Sequence, residues 1–296
     1  MNPMDTIRSG NRLQNITQHL LEMGSPASQR SFGPTCIGMV LTVLLYGVLV
    51  MQTFFYYNTF KRDKPWWKYL VFFLFVGETI HSGFLVALVY VPLVNHFGDI
   101  MSVAQTNHWI LGIDPVLTVS VVMLVQLFDA WRIRIITRNN LAVLLISVCS
   151  LCQWLGGLGT ALSLTVVRDF TKFRHFEMPV SMWLASSAVA DIAITIILVT
   201  FLRKHKTGIL STDDVANRII RMTVQTGLIT TLCAMTDLCL FLSTPSGLHM
   251  IFNLPLSKLY SNSLISSLNS RAWWHLEGGS EDVHRRRGQE VGQEVP

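Results

Sequence analysis

An all-α fold, a bundle of seven membrane-spanning helices, is predicted by three observations. Hydrophobic residues make up 50% of the 296 residues and charged residues only 14%, where soluble domains carry roughly 25% charge; mean hydropathy is accordingly positive. Apolar runs long enough to cross a bilayer, which takes about 20 helical residues, recur along the chain with short polar segments between them. Lys and Arg concentrate in alternate segments: those at 58–68, 132–140 and 203–221 hold twelve, and the intervening ones hold three, Arg168, Lys172 and Arg174. By the positive-inside rule this places the N-terminus outside and the C-terminus in the cytosol. Arg8, Arg12 and Arg30 run against that orientation without reversing it.

Residues 1–32 are polar and read as a flexible tail on the outer side, without the apolar core of a signal peptide. Asn15-Ile16-Thr17 within it is a glycosylation sequon. Span one runs over about 33–57 and ends in Phe54-Phe55-Tyr56-Tyr57; a basic loop with Trp66 and Trp67 at interface depth follows. Span two, about 69–92, carries Glu78 and His81; span three, about 108–131, carries Asp114 early and Asp129 at its far end. Span four, about 141–167, contains Gly156-Gly157-Leu158-Gly159, whose pairings with Thr160 and Ser163 put small residues four apart, as close helix contacts require. Span five, about 180–202, has Asp191 at its middle. Span six, about 222–243, is expected to continue a helix begun near Asp213, with Ser211 and Asp214 as a capping pattern. Beyond span seven, residues 272–296 read as a mostly disordered cytosolic tail.

Span seven, 248–270, organises the rest. It carries Asn253, Ser257, Lys258, Tyr260, Ser261, Asn262, Ser263, Ser266, Ser267, Asn269 and Ser270. At about 100° per residue these polar groups surround the helix and leave no wide apolar face for lipid. Such a helix belongs at the centre of a bundle or beside a watery cavity.

Six ionisable side chains lie within the spans: Glu78, His81, Asp114, Asp191, Asp237 and Lys258. Charges at mid-membrane cost roughly 2.5–3.5 kcal/mol each on insertion scales, so these groups should face inward and pair. By depth, Glu78, His81, Asp191 and Lys258 sit near the middle and Asp114 and Asp237 in the outer third, which suggests an acidic cavity open to the outside with Lys258 at its floor. Asn253 and Tyr260 complete the candidate set for cavity contacts, and Asp191 or Glu78 is the expected partner of Lys258. Glu78 and His81, three apart, share a helix face; they form only half of a di-iron pattern, and no metal or cofactor is expected. Cys149 and Cys152 read as packing, and with all five cysteines inside spans no disulfide framework is expected. No phosphate loop, HExxH or G-x-S-x-G setting is present, so no catalytic residue is assigned.

The run KLYSNSLISSLNSR (258–271) closely resembles the C-terminal signature of a fungal membrane family, domain of unknown function 6534. The block 191–230 is similar to that family's middle portion, and YGVLVMQTFFYYNTFKRDK (46–64), ETIHSGF (78–84), VNHFGD (94–99) and VQLFDAWRIR (125–134) resemble its N-terminal half. The resemblance implies a multi-pass membrane protein of seven spans and no particular activity. The layout is also similar in topology to G-protein-coupled receptors, although Asp129-Ala130-Trp131-Arg132 and Asn253-Leu254-Pro255 depart from the motifs of that class.

Three functions follow from this composition. The first is a receptor-like sensor of a small ligand in the outward cavity, with the 203–221 loop meeting a cytosolic partner. The second is a transporter or proton-coupled carrier that uses the acid, His and Lys set as a relay. The third is a membrane scaffold without catalysis, or a membrane enzyme of unknown type. The lipid bilayer is the expected partner and the site an integral membrane, plasma or internal. The charge of +5 resides in loops between apolar runs, so no nucleic-acid partner is expected.

Overall fold

The computed structural model describes residues 26–90, 94, 108–166, 177–204, 210–244 and 247–271. Asn15, Arg168, Lys172, Arg174 and the segment after Arg271 lie outside these residues. The elements are α1 (Pro26–Thr59), α2 (Pro65–Tyr90), α3 (His108–Thr137), α4 (Asn140–Val166), α5 (Glu177–Lys204), α6 (Leu210–Ser243), α7 (Met250–Asn253) and α8 (Leu256–Asn269). All described secondary structure is helical. With α7 and α8 taken as one interrupted segment, the described helices make seven, and five of them are long and apolar enough to cross a membrane.

The helix ends follow from local chemistry. Pro65 opens α2 and Pro26 opens α1, where a missing N–H costs no hydrogen bond. The backbone of α1 is helical from Pro26, so residues 26–32 continue the first helix beyond the apolar span, which begins at Gly33, instead of belonging to the expected flexible tail. Between α3 and α4 only two residues intervene. Arg138 takes a positive φ of 54°, and the Asn139 side chain accepts from the N–H groups of Leu141 (3.0 Å) and Ala142 (3.4 Å), capping α4. So short a link makes α3 and α4 antiparallel neighbours. Inside the helices, Thr42, Thr79, Ser82, Ser120, Ser150 and Thr160 each donate to the carbonyl four residues back. Their hydroxyls are thereby satisfied without water.

Span seven is not the single helix the sequence suggests. It breaks at Leu254-Pro255, because Pro255 has no N–H to continue the ladder and its ring opposes the preceding turn. The chain resumes helical geometry at once, with Leu259 N donating to the Pro255 carbonyl at 3.0 Å.

α8 sits in the interior, against α1, α2, α3 and α6, and Tyr260 reaches Ser187 on α5. α4 stands in the outer layer, packed mainly on α3 and α5, so the bundle surrounds α8 with five helices and not six. Nine residues of α8 are buried, among them Ser257, Lys258, Ser261 and Asn262. Around it Leu49, Tyr56, Leu74, Val119, Val122, Trp183, Leu184, Leu256 and Ile265 make one apolar core. The outward faces are apolar as well: Leu44, Met51, Phe54, Phe73, Leu144, Leu162 and Ile196 are all exposed. Polar groups inside and large apolar ones outside is the distribution a bilayer demands.

α1 and α8 run in the same direction. Asn262 donates to the carbonyl of Leu45 at 3.0 Å and Asn269 to that of Gln52 at 2.9 Å, seven residues on in both helices. Above them Gly38 lies against α7, where a Cβ would come within 2.5 Å of the Met250 carbonyl oxygen. Close approach at another point is supplied by Gly156: an added Cβ would lie 2.8 Å from Trp183 N and 2.9 Å from the Pro179 oxygen, so α4 and α5 meet backbone to backbone.

Candidate functional site

Two polar clusters are built on α8, on different sides of the helix. The first joins α8 to α2 and α3. Lys258 Nζ lies 2.6 Å from Glu78 Oε2, with both side chains fully buried. The remaining Glu78 acceptor positions take the hydroxyls of Ser261 (2.7 Å) and Ser257 (3.3 Å). Lys258 Nζ also lies 2.9 Å from His81 Nδ1, and His81 Nε2 lies 2.7 Å from Asp114 Oδ1. An ammonium is only a donor, so Nδ1 accepts; the imidazole proton then sits on Nε2 and is donated to Asp114. The result is a continuous line, Asp114–His81–Lys258–Glu78, from one end of the bundle to its middle.

Helical spacing explains the convergence. Glu78 and His81 are three apart and share a face of α2; Ser257, Lys258 and Ser261 fall on one face of α8. The sequence offered two partners for Lys258. Glu78 is the one the structure places there.

Asp191 belongs to the second cluster. It accepts from Gln126 (3.1 Å), Thr230 (2.9 Å) and the Tyr260 hydroxyl (2.5 Å). Ser150 holds Gln126 by its Oε1 at 2.8 Å, and Ser187 lies 2.8 Å from the Tyr260 hydroxyl. Nearer the Arg271 end, Arg132 donates to Ser267 at 2.9 Å. At that end Arg271 pairs with Asp63 (2.7 Å) and lies over the Phe60 and Trp67 rings at 4.7 and 5.0 Å. Gln126, Ser187 and Thr230 were not singled out from sequence. Gln126 had a signal, being a lone amide in the apolar run of α3; Ser187 and Thr230 had none, since hydroxyls in a span ordinarily bond their own helix.

Asp237 lies at the α7 end, fully buried. Asn253 Nδ2 donates to its Oδ2 at 2.7 Å, while its Oδ1 has no hydrogen-bond partner. Nearby, Phe241 and His249 meet edge to face at 5.2 Å, and His249 Nδ1 is also unpartnered.

The outward cavity expected from sequence would be rimmed by segments at 95–107, 167–176 and 245–246, which lie outside the described residues. Among the described residues most polar atoms of the ionisable groups are bonded by a neighbouring helix, as removal from water demands, while Asp237 Oδ1 stays unpaired. Two spaces among the described residues lie elsewhere. One is an open, apolar groove of about 640 Å³ between α4 and α5, at Gly156, Gly159, Pro179 and Met182. The other, of about 30 Å³, lies beside Asp129, Asp191, Thr230 and Tyr260, room for one water molecule. Among the described residues no group of three His, Cys, Asp or Glu could hold a metal ion.

With this geometry in hand, the C-terminal third can be compared with known proteins. Residues 187–273 match a family of unknown function, DUF6534. The matched part holds Asp191, Asp237, Asn253, Lys258 and Tyr260, so all of α8 and its α5 and α6 partners fall within it; Glu78, His81 and Asp114 precede it. No curated protein and no solved structure matches the chain. The match is thus a likeness over part of the chain to a family without assigned activity, and the five long apolar helices are compatible with a membrane protein.

Proposed function

We propose that the protein is a receptor-like membrane sensor, not an enzyme, in which a small ligand acts at Asp114 and α8 carries the response. One observation supports this above the others. In the line Asp114–His81–Lys258–Glu78 only Asp114 keeps side-chain exposure, at 12%, while the other three have none. A ligand that engages Asp114 competes with His81 Nε2–H for the carboxylate. His81 then loses the partner that fixes its tautomer and tilt, and Lys258 on α8 loses one of its two acceptors. A ligand shifts a conformational equilibrium only as far as it binds the two states differently, and this line gives Asp114 a direct physical connection to α8. With the N-terminus outside, the α7 end faces out, and the basic 203–221 segment meets a cytosolic partner.

A carrier is the second reading. The break at Leu254-Pro255 favours it, since interrupted helices serve ion and substrate sites in many transporters. The test uses the purified full chain in nanodiscs, screened by thermal shift against small amines, peptides and metal salts. A ligand should raise the melting temperature by mass action in the wild type and not in Asp114→Asn. Failure of every ligand class, with pH-gradient-driven uptake into liposomes instead, would favour the carrier.

A further inference from the structure

The first cluster shows how this bundle holds a primary ammonium. Lys258 Nζ sits between a carboxylate oxygen, Glu78 Oε2 at 2.6 Å, and an imidazole nitrogen, His81 Nδ1 at 2.9 Å. The same two acceptor types recur at the α7 end, on Asp237 and His249, and there no ammonium is supplied among the described residues. Asp237 is fully buried. Its Oδ2 takes Asn253 Nδ2 at 2.7 Å, and its Oδ1 is buried with no hydrogen-bond partner. His249 Nδ1 is buried and unpartnered as well.

Two contacts gather these groups. Asp237 and Phe241 are four apart on α6 and share a face. His249 and Asn253 are four apart on the turn that forms α7, closed by Asn253 N donating to the His249 carbonyl at 3.0 Å. Across the seam Asp237 bonds Asn253, and the Phe241 and His249 rings meet edge to face with centroids 5.2 Å apart. The four side chains are therefore the corners of one contact between α6 and α7. Asp237 and His249 lie on its diagonal, separated along the axis by one helical turn, about 6 Å. An ammonium that donates to two acceptors spans about 5–6 Å between them. A carboxylate buried with one neutral donor leaves its charge uncompensated.

From this geometry we propose that Asp237 and His249 form a binding site for a primary amine, whose ammonium takes between them the place that Lys258 takes between Glu78 and His81. The charge goes to Asp237 Oδ1, and His249, with its ring proton on Nε2, accepts through Nδ1. Asn253 holds the carboxylate by its other oxygen, and Phe241 fixes the tilt of the imidazole. The half-buried His249 ring provides the entry. A metal ion does not suit the seam, since among the described residues no third acidic, His or Cys ligand joins these two. The site stands apart from Asp114 and does not depend on the sensor reading.

The test is a thermal-shift titration of the full chain in nanodiscs of neutral lipid. Methylammonium chloride is compared with tetramethylammonium and sodium chlorides at constant ionic strength; all three carry one positive charge, and only methylammonium has N–H donors. Methylammonium should raise the melting temperature saturably, and the other two should not. Asp237→Asn should raise the half-saturating concentration roughly thirty-fold or more, the usual loss when one partner of a desolvated charge pair is removed. His249→Phe keeps a ring against Phe241 but removes Nδ1, and should raise it roughly three- to tenfold; either variant serves alone if the other does not fold. Asp114→Asn should leave the curve unmoved. The proposal is overturned if methylammonium acts no differently from tetramethylammonium or sodium, or if the folded seam variants respond as the wild type does. It is overturned too if Asp114→Asn abolishes the response, which would locate the amine at Asp114 and leave the sensor reading standing.

Discussion

Removing the Lys258 ammonium should be among the most damaging single changes in the bundle. Lys258 and Glu78 are both fully buried, and Nζ lies 2.6 Å from Oε2. In Lys258→Met the Glu78 carboxylate keeps the hydroxyl of Ser261 at 2.7 Å, and the one proton of Ser257 Oγ is contested by Glu78 at 3.3 Å and His81 Nδ1 at 3.0 Å. Breaking one partner of a buried pair costs about 3–5 kcal/mol, chiefly because the other charge is left uncompensated. At about 2–4 °C per kcal/mol for a chain of this size, the melting temperature should fall by roughly 6–20 °C. Lys258→Met with Glu78→Gln removes both charges and should recover at least half of the loss, about 1.5–2.5 kcal/mol. Lys258→Met with Asp191→Asn should recover nothing, because Asp191 is satisfied by Gln126, Thr230 and Tyr260. The assay is melting of purified protein by intrinsic fluorescence, the three variants beside the wild type. A loss under about 1 kcal/mol for Lys258→Met, or rescue by Asp191→Asn instead of Glu78→Gln, would refute the assigned pairing.

Four further outcomes are expected. Tyr260→Phe deletes the 2.5 Å bond to Asp191 and should cost about 1–3 kcal/mol in the same melt; an unchanged melt would show that the second cluster does not hold α8. Gly156→Ala drives a methyl to within 2.9 Å of the α5 backbone and should destabilise by about 1–3 kcal/mol, whereas Gly47→Ala, with nothing within 4 Å, should be neutral or mildly stabilising. Asn262→Leu combined with Asn269→Leu removes both bonds from α8 to α1, each worth about 0.6–1.7 kcal/mol; proteolysis between α1 and α2 should quicken, and equal rates would count against the tether. With the N-terminus outside, Asn15 should be glycosylated in a eukaryotic host and Asn15→Gln should abolish the mass shift, while protease protection of the tail would reverse the topology.

The interior of the bundle was more legible in the sequence than its shape. A span with polar groups on every side has only one stable place in a membrane, so the central position of α8 followed from composition. The pairing of Lys258 with Glu78 was half legible. Depth along each helix narrowed the partner to two acids, but which acid depends on the rotation of α2 and α5 about their axes, and Leu and Phe at nearby positions do not encode that. The bonding of the ionisable groups was illegible for a similar reason. Counting ionisable groups gives their number, not whether their donors and acceptors match, and here Ser257, Ser261 and His81 fill the positions that water was expected to hold. The break at Leu254-Pro255 was written in the proline itself and was passed over because the surrounding span was long enough to cross without it.

The arrangement of α8 limits how it can move. Lys258 and Ser261 point to α2, and Asn262 and Asn269, close to them in angle, reach α1. Tyr260 is two residues from Lys258, about 200° around a helix, and engages Asp191 and Ser187 on α5. Ser267, seven residues beyond Tyr260, falls on nearly the same side and receives Arg132 of α3. A small rotation of α8 therefore cannot relieve one cluster alone: turning Lys258 away from Glu78 also turns Tyr260 away from Asp191. Intermediate angles leave buried donors and acceptors unpaired on both sides at once, and each unpaired group costs about 1–3 kcal/mol. Such a helix has either the arrangement seen or another in which both sets find new partners. For the proposed sensor, that two-sided attachment is what a switch requires: a perturbation at Asp114 would be resisted until it is large enough to release α8 as a whole.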